Sequence, residues 1–117
     1  MSKRRTRDSA GDDALKAYFD QIKARPLLSF DEELELSRRI QAGDQEARKC
    51  LIESNLRLVV KIAKAYVTPD VTFLDLVQEG KVGLLKAAEK YDHRKQVRFS
   101  TYASWWIKQS ITRSMCN

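Results

Sequence analysis

The 117-residue chain is 43% hydrophobic and 32% charged, a balance that suits one globular domain with its own core. No apolar run reaches the roughly 18–20 residues of a membrane span, so no such span is predicted. Two cysteines and one histidine are too few for a disulfide framework or a finger-type zinc site. We therefore expect no metal, no cofactor and a reducing, cytoplasmic location. The 22 Lys and Arg against 16 Asp and Glu favour an acidic partner, nucleic acid first.

Helix signals begin early in the chain, and no alternation typical of strands accompanies them. Residues 1–11 are polar and basic, which predicts a disordered arm in front of a domain over residues 12–117. Asp12 and Asp13 can cap a first helix, which Pro26 ends because the residue before a proline disfavours the helical conformation.

Capping residues place the next two helices. Ser29 and Glu32 have the spacing of a capping box, so a second helix is predicted to begin there. Gly43 suits the position just beyond a helix end, and Asp44 can cap the helix that follows. The apolar positions of this third helix keep helical spacing, so one long helix is predicted to reach Pro69.

The second half of the chain repeats the pattern. Thr72 and Asp75 form a second capping-box sequence and open a helix that runs to about Lys90. A polar, basic loop over residues 92–98 precedes a last helix over about residues 100–115. The predicted fold class is therefore all-α, a compact bundle of about five helices.

The last helix carries two different stripes. Ala103, Ile107 and Ile111 recur every fourth residue and are predicted to face the core. The other stripe combines aromatic rings with an amide, a hydroxyl and a cation, and consists of Tyr102, Trp105, Trp106, Gln109, Thr112 and Arg113. Such aromatic residues can simply be core, but this mixture also suits unstacked bases, because stacking contributes about 1–3 kcal/mol per base. Cationic side chains bind the phosphates of a nucleic acid, and six such residues lie in or beside residues 91–113: Lys90, Arg94, Lys95, Arg98, Lys108 and Arg113.

The segment Val97–Gln109, with the sequence VRFSTYASWWIKQ, resembles the promoter-melting segment of bacterial sigma-70 family RNA polymerase sigma factors. The sequences NLRLVV at 55–60 and FLDLVQEG at 73–80 are similar to the helices that precede it in that family. The resemblance covers about residues 12–115, corresponding to regions 1.2 to 2.4. It implies a sigma domain 2 fold that docks on RNA polymerase core and recognises and melts the promoter −10 element, with no catalysis.

The resemblance assigns DNA contacts residue by residue. Tyr102 corresponds to the tyrosine that stacks on the flipped second-position adenine of the non-template strand, and a flipped base needs a pocket that replaces its lost stacking. Trp105 and Trp106 correspond to the pair that fills the vacated space and holds the upstream fork. Lys95, Phe99 and Gln109 correspond to residues around the adenine pocket. Gln109 and Thr112 correspond to contacts with the last base pair, and Lys108 and Arg113 to contacts with the backbone. A second pocket, for the final thymine, corresponds to Glu33, Asn55, Leu58 and Ser100, and Arg98 completes the implied DNA-binding set.

A second group of residues points to a protein partner. Leu74, Asp75, Gln78, Glu79 and Leu85 share helical spacing, and on their own they also fit a solvated face beside a core stripe. The resemblance implies that this helix docks on the coiled coil of the polymerase β′ subunit, where acidic and amide groups meet arginines. It also implies an anti-sigma factor as a candidate partner, and a bacterial, nucleoid-associated location.

The chain departs from the family pattern at several points. Gln96 and Val97 stand where the family usually has Gly and then Tyr or Phe, which removes loop freedom and one aromatic wall of the adenine pocket. Lys81 stands where many members have Asn. The acidic N-terminal region and large insert of primary sigma factors are missing, which favours an alternative, stationary-phase-like type. The downstream sigma domains are also missing, so we expect a fragment, excised or naturally truncated.

Other interpretations stay open at this point. A protein-interaction module that docks on polymerase without sequence-specific DNA capture is favoured by Gln96 and Val97 and opposed by the tryptophan pair. A helix-turn-helix reader of duplex DNA needs a polar recognition helix, whereas the last helix is aromatic. An enzyme is disfavoured, because the single histidine has no ligand cluster and acids such as Asp31 cluster at a helix start.

Overall fold

The computed structural model describes residues 16–116 and confirms the all-α class. Residues 16–24 form helix α1, and five further helices follow: α2 (Phe30–Gln41), α3 (Gln45–Ser54), α4 (Leu56–Lys64), α5 (Phe73–Lys90) and α6 (Phe99–Met115). None of the helices in this range is both long and apolar enough to span a bilayer. The predicted arm at residues 1–11 and the caps Asp12 and Asp13 lie outside the described residues.

The caps of α2 and α3 form as predicted. The Ser29 hydroxyl accepts from the Glu32 N–H at 3.1 Å, and the Glu32 carboxylate accepts from the Ser29 N–H at 2.9 Å. Gly43 ends α2 with a φ of +95°, a backbone conformation that glycine adopts without strain. Asp44 then accepts from the Ala47 N–H at 3.1 Å, and this hydrogen bond is the main reason that the pKa of Asp44 is lowered.

The prediction of one long third helix is wrong, because the chain breaks at Asn55. The side-chain amide of Asn55 donates to the Leu51 carbonyl at 2.8 Å, the acceptor that its own N–H would use in an unbroken helix. That N–H bonds the Ile52 carbonyl instead at 3.0 Å. Asn55 thereby ends α3 and begins α4, an example of a side chain that competes with the backbone. Apolar periodicity continues across the break and therefore does not reveal it.

The second capping box is also only half formed. The Thr72 hydroxyl accepts from the Asp75 N–H at 3.2 Å, but the Asp75 carboxylate accepts no reciprocal hydrogen bond from the Thr72 N–H. The helix nevertheless runs to Lys90 as predicted.

Helices α5 and α6 form the central pair of the bundle. Ala103, Ile107 and Ile111 of α6 are fully buried, which confirms the predicted core stripe. Two glycines of α5 let neighbouring helices approach closely: a Cβ at Gly83 would lie 2.3 Å from the Trp106 carbonyl oxygen of α6, and one at Gly80 would lie 2.7 Å from a Val59 methyl group of α4. The Gly-x-x-Gly sequence thus serves helix packing.

The loop before α6 contains one residue in the left-handed region. Gln96 has φ 59° and ψ 29° and ends a short 3-10 turn over His93–Lys95. The Tyr91 hydroxyl donates to the carbonyl of Val97, the next residue, and so fastens the loop to the bundle. Burial raises the pKa of Tyr91, which keeps this donor protonated.

The strain at Gln96 can be tested directly. The Gln96→Gly variant is expected to be more stable than the unaltered chain by up to about 1 kcal/mol, because a side chain in the left-handed region costs roughly 1–2 kcal/mol and glycine loses part of this gain through its greater unfolded freedom. The urea midpoint measures the change. Gln96→Ala keeps the Cβ and is the matched control, which should show no such gain. A glycine variant no more stable than the alanine variant would contradict the assignment of strain.

Candidate nucleic-acid and protein interfaces

A continuous row of aromatic rings runs from the core to the surface at the start of α6. Phe99 is fully buried and meets Tyr91 edge-on, with ring centroids 5.2 Å apart. Tyr91 lies 5.7 Å from Tyr102, which in turn lies 6.4 Å from Trp106. Trp105 ends the row at 5.0 Å from Trp106 and perpendicular to it, with 57% of its surface exposed. The row therefore offers an open ring at one end and a rigid foundation at the other.

The buried end of the row supports Tyr102 from below. Phe99, which the resemblance placed around the adenine pocket, lies in the core and packs against Tyr91, which is also buried. The Tyr102 ring is partly exposed, and its hydroxyl donates to the Lys90 carbonyl at 3.3 Å. Tyr102 is therefore held in place on one side while part of its ring remains open to a ligand.

Trp106 is fixed through its backbone and its ring. Its carbonyl lies against Gly83, and the Lys90 ammonium lies 6.0 Å from the ring centroid, a cation–π distance. Its buried indole Nε1 has no hydrogen-bond partner among residues 16–116. Trp106 thus gives Trp105 a rigid neighbour, so that the exposed indole is pre-oriented.

Polar and cationic side chains continue the exposed side of α6 beyond the tryptophans. Lys108, Gln109 and Arg113 are exposed and follow Trp105 at helical spacing. The Thr112 hydroxyl donates to the Lys108 carbonyl at 2.8 Å, which leaves its oxygen free to accept. Lys95 in the preceding loop is also exposed. Lys108, Gln109 and Arg113 therefore extend the exposed side of α6 that carries Trp105.

A cavity of about 380 Å³ brings together three of the four residues predicted for a second base. Asn55 and Leu58, at the start of α4, line it together with Ser100 of α6. Helix α1 and residue 27 close the other side, and apolar side chains form much of the wall. None of the described lining residues is acidic, and four of them are cations: Lys23, Arg57, Lys61 and Lys64.

These cations were not singled out from the sequence. Arg57, Lys61 and Lys64 follow helical spacing on α4, so their common face could have been read from the sequence. The contribution of Lys23 depends on how α1 packs against α4, which local sequence does not encode.

Glu33, the fourth residue of the predicted base pocket, does not line the cavity and is only 2% exposed. One carboxylate oxygen accepts from Arg98 Nε at 2.9 Å and from the Phe99 N–H at 3.1 Å, and the other accepts from Arg98 Nη2 at 3.2 Å. This pairing with Glu33 is the main reason that the pKa of Arg98 is raised. Arg98 occupies the N-cap position of α6, but its side chain accepts no hydrogen bond from the helix N–H groups. Glu33 serves as the cap instead and so ties α2 to α6.

The residues predicted to bind a protein share the exposed side of α5. Leu74, Val82 and Leu85 are 40–44% exposed, large fractions for apolar side chains. Asp75 and Gln78 are also exposed, and Glu79 is partly exposed. The opposite side of the helix is buried in the core. We call this exposed side, with Val82 added to the five predicted residues, the α5 face.

The helices that carry these surfaces match a known family. Residues 51–115 match the family model described as Sigma-70 region 2, and residues 13–46 match Sigma-70 factor, region 1.2. The chain belongs to the sigma-70 family. The 380 Å³ cavity lies where the two matched sigma-70 regions meet, since Lys23 comes from the first region and Asn55 from the second. The pair Glu33 and Arg98 joins the same two regions.

Curated sigma-70 relatives are similar over most of this chain. The RNA polymerase sigma factor SigA of a Bacillus species is 55% identical over 105 residues, which cover 90% of this chain and 28% of that protein. SigA of Clostridium acetobutylicum is 55% identical over 106 residues, covering 91% and 28%. RpoS of Coxiella burnetii is 48% identical over 114 residues, covering 97% and 32%. The chain thus spans about three tenths of the length of these relatives. Because both names occur among them, the predicted alternative type stays a prediction.

Proposed function

We propose that this chain is the promoter-melting part of a bacterial sigma factor, with residues 12–117 acting as one unit in the cytoplasm at the nucleoid. It docks on RNA polymerase core and captures bases of the −10 element from the non-template strand, with no catalysis of its own. The observation that carries the proposal is the aromatic row of α6, which ends in an exposed tryptophan among cations.

The aromatic row suits the capture of a flipped base. Unstacking one base costs a few kcal/mol, and stacking on an aromatic side chain returns about 1–3 kcal/mol. Tyr102 supplies the stacking ring, which the buried rings of Tyr91 and Phe99 hold in place. Trp105 and Trp106 lie perpendicular to each other and replace the surface that the base leaves in the duplex. Strand separation then follows from base capture and needs no nucleotide hydrolysis.

The cavity at Asn55, Leu58 and Ser100 receives the second base in this proposal, the final thymine of the element. Its apolar walls suit a base, and its four cations suit the flanking phosphates, so binding should weaken with salt. Glu33 acts as a support for α6, because its two oxygens already accept three hydrogen bonds. Arg98 supports the contact between α2 and α6 as well, because its guanidinium group pairs with Glu33.

The α5 face is the proposed docking surface for the polymerase β′ coiled coil. Exposed apolar side chains at Leu74 and Leu85 flank Asp75 and Gln78, which can accept from arginines of a partner. Desolvated apolar anchors beside charge-assisted hydrogen bonds are typical of specific protein interfaces.

The DNA part of the proposal is tested with labelled single-stranded oligonucleotides. A strand carrying TATAAT is expected to bind more tightly than one whose second-position adenine is replaced. Tyr102→Ala should weaken binding to TATAAT by about 1–3 kcal/mol and remove the preference, because the stacking ring is gone. Fluorescence anisotropy at two salt concentrations measures both effects.

Tyr102→Phe is the matched control, since it keeps the ring and loses only the hydroxyl that bonds the Lys90 carbonyl. It should retain the adenine preference. If the unaltered chain bound both oligonucleotides equally, with a dependence on salt alone, base capture at Tyr102 would be refuted.

A docking module without sequence-specific capture is the second candidate. Val97 favours it, because its side chain is 42% exposed beside the aromatic row and supplies no ring there. This candidate predicts that the chain binds polymerase core normally while it fails to distinguish the two oligonucleotides. The same anisotropy measurement therefore separates the two candidates.

A further inference from the structure

The cavity between α1 and α4 contains an aromatic ring as well as the residues proposed to receive a thymine. The Phe19 ring lines it, and the rings of Phe73 and Tyr18 hold that ring in place, with centroids at 5.3 and 5.5 Å. Stacking on an aromatic side chain is open to any base, because every base has a π-face. The volume of about 380 Å³ also lies within the range of small-molecule sites, about 300–1,000 Å³. The cavity therefore suits a free base as well as a base that belongs to a strand.

Asn55 supplies polar atoms for the edge of such a base. One of its amide hydrogens is committed, because the side chain donates to the Leu51 carbonyl at 2.8 Å. The other amide hydrogen and the amide oxygen form no hydrogen bond within residues 16–116. Since base edges present both donors and acceptors, this remaining donor beside an acceptor matches them.

The cations around the cavity outnumber the phosphates that flank one base. All four are exposed, and none pairs with an acid among residues 16–116: Lys23, Arg57, Lys61 and Lys64. The three on α4 are spread over seven residue steps, about 10 Å along the helix axis.

The charge of these cations matches a chain of phosphates better than a single base of a strand. The two phosphates that flank such a base bring one negative charge each. A nucleoside triphosphate brings about four, because its terminal phosphate ionises twice near neutral pH. A cleft with apolar walls and charges of one sign concentrates counter-ions of this kind.

We propose that this cavity is also a binding site for a free nucleoside triphosphate, which excludes the promoter strand from it. The base stacks on Phe19 and meets the Asn55 amide, while the phosphates bind the cations of α4 and Lys23 of α1. Free nucleotide then reduces capture of the final base of the −10 element. This exclusion of the strand rests on the proposed function, whereas nucleotide binding itself does not.

Isothermal titration calorimetry on the unaltered chain tests the site with dTTP, dTMP and inorganic tripolyphosphate, in a buffer without divalent cations. We expect dTTP to bind about tenfold more tightly than dTMP, because its two further phosphates meet the cations. We expect it to bind about tenfold more tightly than tripolyphosphate, because only dTTP has a base to stack. Equal binding of dTTP and tripolyphosphate would reduce the cavity to a basic surface and overturn the proposal.

Two variants separate the base from the phosphates. Phe19→Leu keeps an apolar side chain and removes the ring, so it should weaken dTTP binding to the level of tripolyphosphate and leave tripolyphosphate binding unchanged. Lys61→Glu should raise the Kd for dTTP about tenfold, because it places a carboxylate among the phosphates. Lys16→Glu makes the same charge change on an exposed residue of α1 that does not line the cavity, and it is the control. Equal losses in the two glutamate variants would overturn the placement of the phosphates, and far-UV circular dichroism checks that each variant is folded.

Competition with a labelled TATAAT strand tests the exclusion, and dTTP should displace the strand. Binding of dTTP without displacement would overturn the exclusion, together with the assignment of the final thymine to this cavity. A chain that ignores dTTP but binds the strand with a preference for its final thymine would overturn the nucleotide site and leave the proposed function intact.

Discussion

Replacing Gly83 with alanine is expected to destabilise the bundle by about 3 kcal/mol, because the added methyl group has no space. A Cβ at this position would lie 2.3 Å from the Trp106 carbonyl oxygen and 2.9 Å from the Ile107 Cα. Both are backbone atoms of α6, so no rotamer change relieves the overlap and the two central helices must separate. The gain in helix propensity from glycine to alanine, about 1 kcal/mol, offsets only part of this cost. The free energy of unfolding in urea measures the result.

Gly80→Ala is the matched control for this prediction. It lies one turn earlier on the same helix, and its nearest obstacles are side chains, a Val59 methyl group at 2.7 Å and an Ile107 methyl group at 3.3 Å. Side chains can shift, so the loss should be clearly smaller. Equal losses at the two positions would show that backbone contact does not determine the close approach of α5 and α6.

The same crossing connects stability to the aromatic row. Trp106 contributes its carbonyl to the contact with Gly83 and its ring to the contact with Trp105. A wider crossing therefore displaces the tryptophan pair as well as loosening the core. We expect Gly83→Ala to reduce oligonucleotide affinity even at urea concentrations where the chain remains folded, because the exposed indole loses its fixed orientation.

Local signals explain why much of the fold could be predicted from the sequence. Ser29 and Asp44 begin helices through hydrogen bonds within three residues, and such contacts are encoded locally. The core stripe at Ala103, Ile107 and Ile111 follows from helical periodicity alone. The sequence did not predict the helix break at Asn55, because a single residue interrupts the helix while the apolar pattern continues.

The candidate site likewise contains parts that local sequence predicts and parts that depend on how the helices pack. The exposed side of α6 could be predicted because its members share one helix. The cavity required the resemblance, since Asn55 and Ser100 meet only when α4 and α6 pack together. Two residues predicted to contact DNA are buried in the structure and already have partners: Glu33 accepts from Arg98, and Phe99 packs on Tyr91. Spacing along a chain does not distinguish a residue that touches a ligand from one that supports its neighbour.

Glu33 is the position where these two roles can be separated. Glu33→Ala leaves the buried Phe99 N–H without its acceptor, which costs about 1–3 kcal/mol, and it frees Arg98 from its partner. A lower urea midpoint is expected, with the start of α6 as the first part to loosen. An unchanged midpoint would show that Glu33 does not cap α6.

Glu33→Gln provides the finer comparison, because the amide keeps an oxygen for the Phe99 N–H and loses the negative charge that Arg98 faces. A supporting role predicts that stability falls between the alanine variant and the unaltered chain, while the preference for the final thymine of TATAAT is retained. A direct contact predicts the reverse, with stability nearly unchanged and the thymine preference lost. Because Glu33 is buried beneath the start of α6 and its oxygens are already paired, we expect the first pattern. The base would then be held by the cavity at Asn55 and Ser100, with Glu33 fixing the helix from which Ser100 projects.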